Sequence, residues 1–139
     1  MATLILINTG PDFSFNGVYM PMQDVLANSE IMTVRDIILK TVDCEKIYLF
    51  GSYASNMQGE YSDYDFYVVL MHDDVNPVLA EQNIYRNLAK REGRHTPVDV
   101  LAENKNKFRN LCVLPTMERK IAREGILLYD TAGLAQPMV

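Results

Sequence analysis

The sequence has no apolar run approaching the roughly 20 residues that a membrane-spanning helix needs, so a bilayer anchor of that kind is not expected. Cysteine is scarce. Cys44 and Cys112 lack metal-ligand spacing and sit among apolar neighbours, which predicts two reduced, partly buried thiols, neither a zinc cluster nor a disulfide. The N-terminus has no basic start and no cleavage-like region, so a secretory signal is not expected and a cytoplasmic location is. Internal repeats, linkers and low-complexity tracts are absent. Basic residues are scarce in the first 85 positions, which carry 3 Lys/Arg against 12 Asp/Glu, net −9. The remaining positions carry 10 against 6, net +4, and the whole chain is −5. A chain this acidic is a poor general binder of nucleic acid, which requires phosphate neutralisation.

What is there suits one compact unit. The 139 residues, 48% of them hydrophobic, are enough for a proper core. The chain reads as a single domain, with residues 1–25 as an N-terminal extension and 131–139 as a frayed tail. Thr3 to Asn8 is strand-prone, and Asp12 to Pro21 reads as loop. Apolar residues at helical spacing (Ile31, Val34, Ile38) predict a helix over roughly Glu30 to Thr41, capped by Ser29. A second helix is expected from Pro77 to Arg91, ended by Gly93. Short helices are expected over Asn104 to Leu111 and Thr116 to Arg123, then a strand over Ile126 to Tyr129. His72-Asp73-Asp74 reads as a solvent-exposed loop rather than a metal site.

The informative stretch runs from Ile47 to Met71. Two short apolar runs, Ile47 to Phe50 and Phe66 to Met71, read as buried strands around a polar centre. The first run stops at Gly51-Ser52. The second follows Asp63-Tyr64-Asp65. Residues i and i+2 of a strand share a face, so Asp63 and Asp65 project together. Like charges side by side repel unless a cation sits between them, and carboxylate oxygens are hard donors suited to magnesium or manganese. Glycine lets a ligand approach the backbone closely. The N–H groups that follow it and the Ser52 hydroxyl can hold phosphate oxygens, above all where a helix begins, and Tyr53 to Met57 is expected to form a short one. A third strand, Thr96 to Leu101, carries Asp99 between Val98 and Val100. Taken alone, Asp99 is as readily a solvent-facing residue of a one-sided sheet. With Asp63 and Asp65 upstream, a third carboxylate of the same site is favoured.

Gly51-Ser52, ten intervening residues and Asp63-x-Asp65 resembles the signature of the nucleotidyltransferase superfamily related to DNA polymerase beta, in particular its minimal nucleotidyltransferases. The likeness takes in Leu49-Phe50 before the glycine, the apolar strand after Asp65, Val98-Asp99-Val100 and the run Glu124 to Tyr129. It covers roughly Ile31 to Asp130. Many relatives read Gly-Ser-x-Ala-Arg-Gly, often with Arg directly after Gly-Ser; this chain keeps Ala54 but has Ser55 and Asn56 where that Arg-Gly would lie, and Tyr53 directly after Ser52.

The resemblance implies an α/β (α+β) nucleotidyltransferase fold, a small mixed β-sheet with helices packed mainly on one side. It implies two Mg2+ ions, bound by Asp63 and Asp65 and completed at the catalytic metal by Asp99, with Gly51 and Ser52 holding the β/γ phosphates of ATP or another NTP. The implied reaction moves a nucleoside monophosphate to a hydroxyl acceptor. A partner protein such as a HEPN-type toxin would supply it, in an antitoxin role. A homodimer is also compatible. The alternatives are a non-catalytic partner-binding module of the same fold and transfer to a small molecule such as an aminoglycoside.

Overall fold

The computed structural model describes residues 25, 27–54 and 63–135. The expected strand at Thr3 to Asn8, the loop at Asp12 to Pro21 and most of the expected helix at Tyr53 to Met57 lie outside the described residues.

Helix α1 (Ser29–Thr41) leads into β1 (Cys44–Phe50). Its cap is Asn28, not Ser29. The Asn28 side-chain oxygen accepts from the N–H groups of Glu30 and Ile31 at 3.0 Å, so the helix starts one residue earlier than the periodicity suggested. Strand β2 (Tyr64–Leu70) follows the polar centre, then α2 (Pro77–Leu88) and β3 (Val98–Asn104). Pro77 occupies the first turn of α2, where its missing N–H has no helical partner to lose, and Asn76 caps it. Helix α3 (Lys105–Cys112), helix α4 (Met117–Glu124), strand β4 (Ile126–Asp130) and a last turn of helix, α5 (Thr131–Ala135), complete the order. Thr116 caps α4, its hydroxyl accepting from Arg119 N at 3.2 Å. Part of the expected frayed tail is therefore helical.

The four strands form one mixed sheet in the order β3-β2-β1-β4. β1 runs antiparallel to both β2 and β4, and β2 and β3 are parallel. Period-two alternation sorts the side chains onto two faces. On the first face lie Ile47, Leu49, Tyr64, Phe66, Val68, Leu70, Val100 and Ala102, packed with Ile31, Val34 and Ile38 of α1 and Ala80, Ile84 and Leu88 of α2. This is the larger core, under the two long helices. Each fully buried aliphatic side chain there contributes roughly 1.5–3 kcal/mol. On the second face, Tyr48, Tyr67 and Val69 pack with Phe108 of α3 and Ile121 of α4. The Phe108 ring lies 5.9 Å from that of Tyr48 and 5.3 Å from that of Tyr67. The Tyr67 hydroxyl donates to Glu118 at 2.9 Å, tying α4 to β2.

Cys44 is buried and Cys112 half-buried, both free thiols as expected. His72, Asp73 and Asp74 are exposed. No helix among the described residues is long and apolar enough to cross a membrane.

Candidate active site

Strand direction brings the signature residues together. β1 ends where its antiparallel neighbour β2 begins, and β3 begins beside the start of β2. The turn at Gly51 and Ser52, Asp63 before β2, Asp65 in β2 and Asp99 in β3 therefore share one end of the sheet. They also share a face. Asp63 and Asp65 alternate with the inward Tyr64 and Phe66, and Asp99 alternates with the inward Val98 and Val100, which places all three carboxylates on the second face. Register sharpens this: Phe50 pairs with Asp65, and Asp65 pairs with Asp99. The side chains Asp99, Asp65 and Phe50 thus form one row across three strands, with neighbouring strands about 4.8 Å apart. Helices α3 and α4 cover the preceding Tyr48–Tyr67 row and leave Asp99 exposed.

The electrostatics are those of crowded acids. Burial pushes the Asp65 carboxyl above its ordinary value, and the charges of Asp99 and Asp63 push it further in the same direction. Among the described residues, no group of three His, Cys, Asp or Glu side chains is gathered tightly enough to hold a metal ion as it stands. The donor set itself, carboxylate oxygens only, is of the kind that suits a hard divalent cation.

Gly51 belongs to this arrangement for a steric reason. Its φ is +76°, and a Cβ there would overlap Asp65 Oδ2 and stand 3.2 Å from Asp65 Cγ. Only a residue without a side chain leaves the carboxylate in place against the turn. Tyr53, which stands where relatives often carry a basic residue, packs its ring 4.6 Å from that of Tyr64. It fastens the Gly51 turn to the strand that carries Asp65 and that Asp63 immediately precedes. Tyr64 is held in turn from the first face. Its hydroxyl donates to Glu30 at 3.1 Å and accepts from Asn28 at 3.3 Å. Glu30 also accepts from the N–H of Thr96 at 2.7 Å and its hydroxyl at 2.8 Å, which joins α1 to the entry of β3.

The family profile described as "Polymerase beta, Nucleotidyltransferase" matches residues 33–132. The chain belongs to this family. A structure assigned by inference as a nucleotidyltransferase from Sulfolobus solfataricus has 16% identity to this nucleotidyltransferase, covers 80% of it and 85% of its own chain, and superposes with a TM-score of 0.51. That likeness is one of fold. A toxin–antitoxin structure with AMP-PNP shares 21% identity, covering 73% of this chain and 74% of its own at a TM-score of 0.46. A mutant of the toxin–antitoxin pair MntA-HpeT shares 18%, covering 82% and 76% at 0.47. No curated protein matches the sequence.

All five residues singled out from the sequence, Gly51, Ser52, Asp63, Asp65 and Asp99, lie at this end of the nucleotidyltransferase. Sequence reasoning missed the Glu30–Tyr64–Thr96 anchor, because contacts between residues 34 and 66 positions apart leave no local pattern. It also missed a cavity of about 490 Å3 between the Gly51 turn and α4, lined by Phe50, Met117, Lys120, Ile121 and Glu124. The spacing of the helical members was visible, but the surface that the helix faces was not.

Proposed function

We propose that this nucleotidyltransferase transfers AMP from magnesium-ATP to a hydroxyl of a partner protein, a HEPN-type toxin being the expected acceptor. The observation that supports the reading is the row Asp99–Asp65–Phe50 beside the Gly51 turn, two carboxylates and a glycine turn in one line. Gly51 and Ser52 hold the β/γ phosphates. Asp63 and Asp65 would hold two Mg2+ ions, and Asp99 would complete the catalytic ion's site. Bound there, the cations supply charge neutralisation at the triphosphate. Asp99 orients the acceptor hydroxyl and helps draw off its proton. The acceptor oxygen bonds to the α-phosphorus, the bond to the bridging oxygen breaks, and pyrophosphate leaves in line.

The non-catalytic reading, a module of the same fold that masks a partner, draws support from the neutral Tyr53, Ser55 and Asn56 after the glycine. The two readings separate in one titration. Calorimetry of magnesium-ATP into the protein and into an Asp63→Asn/Asp65→Asn variant is expected to show metal-dependent binding only in the former. A well-folded protein that binds none of ATP, GTP, CTP or UTP excludes the enzyme reading. Labelled ATP with co-expressed candidate partners then identifies the acceptor.

A further inference from the structure

We propose that Lys120 of α4, with the cavity it lines, binds the departing pyrophosphate, supplying from a distant helix the positive charge that the sequence after Gly51 lacks. The proposal rests on the nucleotidyltransfer reading and concerns which of this chain's residues hold the leaving group. In-line displacement sets the attacking oxygen and the leaving oxygen on opposite sides of the phosphorus. Across the sheet end, Asp99 lies on the β3 side of Asp65, and Phe50 and Gly51 lie on its β1 side. An acceptor beside Asp99 therefore directs pyrophosphate toward Gly51 and into the cavity of about 490 Å3 that Gly51 shares with α4.

The helix is placed to meet it. Met117, Lys120, Ile121 and Glu124 recur at i, i+3, i+4 and i+7, so they form the single face of α4 that lines the cavity. Ile121 is buried in the second core, and the Glu118 contact with Tyr67 fastens the preceding turn. Lys120 is thereby held at the cavity wall while its side chain remains exposed. Its ammonium takes part in no salt bridge among the described residues, whose pairs are Arg35–Asp36, His72–Asp43, Lys107–Glu103 and Arg109–Glu45. The sequence after the glycine supplies no cation: Tyr53 packs on Tyr64, and Ser55 and Asn56 are neutral. A leaving group that gains charge in the transition state needs a counter-charge, and Lys120 is the basic side chain among the cavity's described lining residues. Glu124 lines the same cavity and opposes an anion, so the two residues act with opposite sign.

The test uses the full chain with Lys120→Met, Lys120→Arg and Glu124→Gln, all at exposed positions. The probes are magnesium-ATP, magnesium-pyrophosphate and magnesium-AMP, each displacing a fluorescent ATP analogue. Lys120→Met is expected to weaken ATP and pyrophosphate about tenfold, the loss of one charge-assisted hydrogen bond, and to leave AMP unchanged. It should also lower the slope of log affinity against log salt by roughly one, as removal of a single phosphate contact does. Lys120→Arg should retain most of the affinity, and Glu124→Gln should tighten pyrophosphate. Equal losses for AMP and ATP would overturn the proposal, because the cavity would then hold the nucleoside. Unchanged ATP affinity in Lys120→Met, with Asp63/Asp65-dependent binding intact, overturns the role of Lys120 and leaves the enzyme reading standing. No nucleotide binding by the unaltered protein overturns both.

Discussion

Replacing Gly51 by alanine should damage the site and the fold in separable amounts. The residue sits at φ +76°, where an L-residue costs roughly 1 kcal/mol relative to glycine. The new Cβ would also overlap the Asp65 carboxylate. Asp65 must then leave its rotamer well or the turn must shift, at roughly 0.5–1.5 kcal/mol more. The sum is about 2 kcal/mol, or on the order of 8 °C in Tm for a domain of this size. Gly93 provides the control. Its φ is +86°, yet an added Cβ meets nothing within 4 Å. Gly93→Ala should therefore cost about 1 kcal/mol for backbone strain alone and leave the site untouched. Urea denaturation of both variants, with magnesium-ATP calorimetry, measures the two parts. Gly51→Ala is expected to be less stable than Gly93→Ala by about 1 kcal/mol and to lose nucleotide affinity by roughly tenfold or more, as displaced metal-site groups do. Equal stabilities together with unaltered ATP binding would show that the Gly51–Asp65 contact carries neither role.

The crowding of acids makes a second prediction with a definite sign. The folded-state value of Asp65 is raised by burial and then by Asp99 and Asp63, so its contribution to stability is present at low pH and lost as pH rises through that raised value. In chelator at neutral pH, Asp65→Asn should therefore raise Tm while abolishing metal-dependent ATP binding. Asp99→Asn should move the acid limb of magnesium-ATP binding to lower pH by relieving one of the repelling charges; an unmoved limb would exclude Asp99 from the cluster. Glu30 behaves oppositely. Burial works against its charge, but hydrogen bonds from Thr96 N, the Thr96 hydroxyl and Tyr64, with the charge of Arg91, outweigh it and hold the carboxyl below its ordinary value. Glu30→Ala should cost about 2 kcal/mol at neutral pH for the hydrogen bonds removed. The advantage of the unaltered protein should shrink as pH falls through the depressed Glu30 value, and a gap independent of pH would contradict the assignment.

The elements and the signature were legible in sequence because both are local. Ile31, Val34 and Ile38 mark the buried stripe of α1, and the alternation around Asp63 and Asp65 sets their common face before any coordinates are known. Boundaries moved by a residue or two where capping decided them, as when Asn28 rather than Ser29 took the first N–H groups of α1. β3 continued past Leu101 to Asn104 because its parallel pairing follows β2 to Leu70, a constraint set by the neighbour. Asp99 was ambiguous from its own strand, was favoured once Asp63 and Asp65 were read with it, and lies in register with Asp65. Tyr53 read as the loss of a basic residue, whereas its ring contact with Tyr64 is a gain that spacing does not announce.

The placement of the site follows from unequal coverage of the sheet. The first face is closed by α1 and α2, and there the alternation of β2 and β3 is apolar without exception from Phe66 to Leu70 and at Val100 and Ala102. Among the described residues, the second face is closed only as far as the Tyr48–Tyr67 row, by the shorter α3 and α4. Two residues further along, the same positions become Phe50 and Asp65, and on β3 the outward pair is Asp99 and Leu101, the latter 38% exposed. A helix sealing that end would bury three carboxylates without partners, at several kcal/mol each. Among the described residues no helix seals that end: Asp99 is exposed, Asp63 and Asp65 are half-buried, and α4 stands beside it with Lys120 on the cavity wall. The apolar pattern thus fails on the face that carries the candidate site, and the first face supplies the stability that the second gives up.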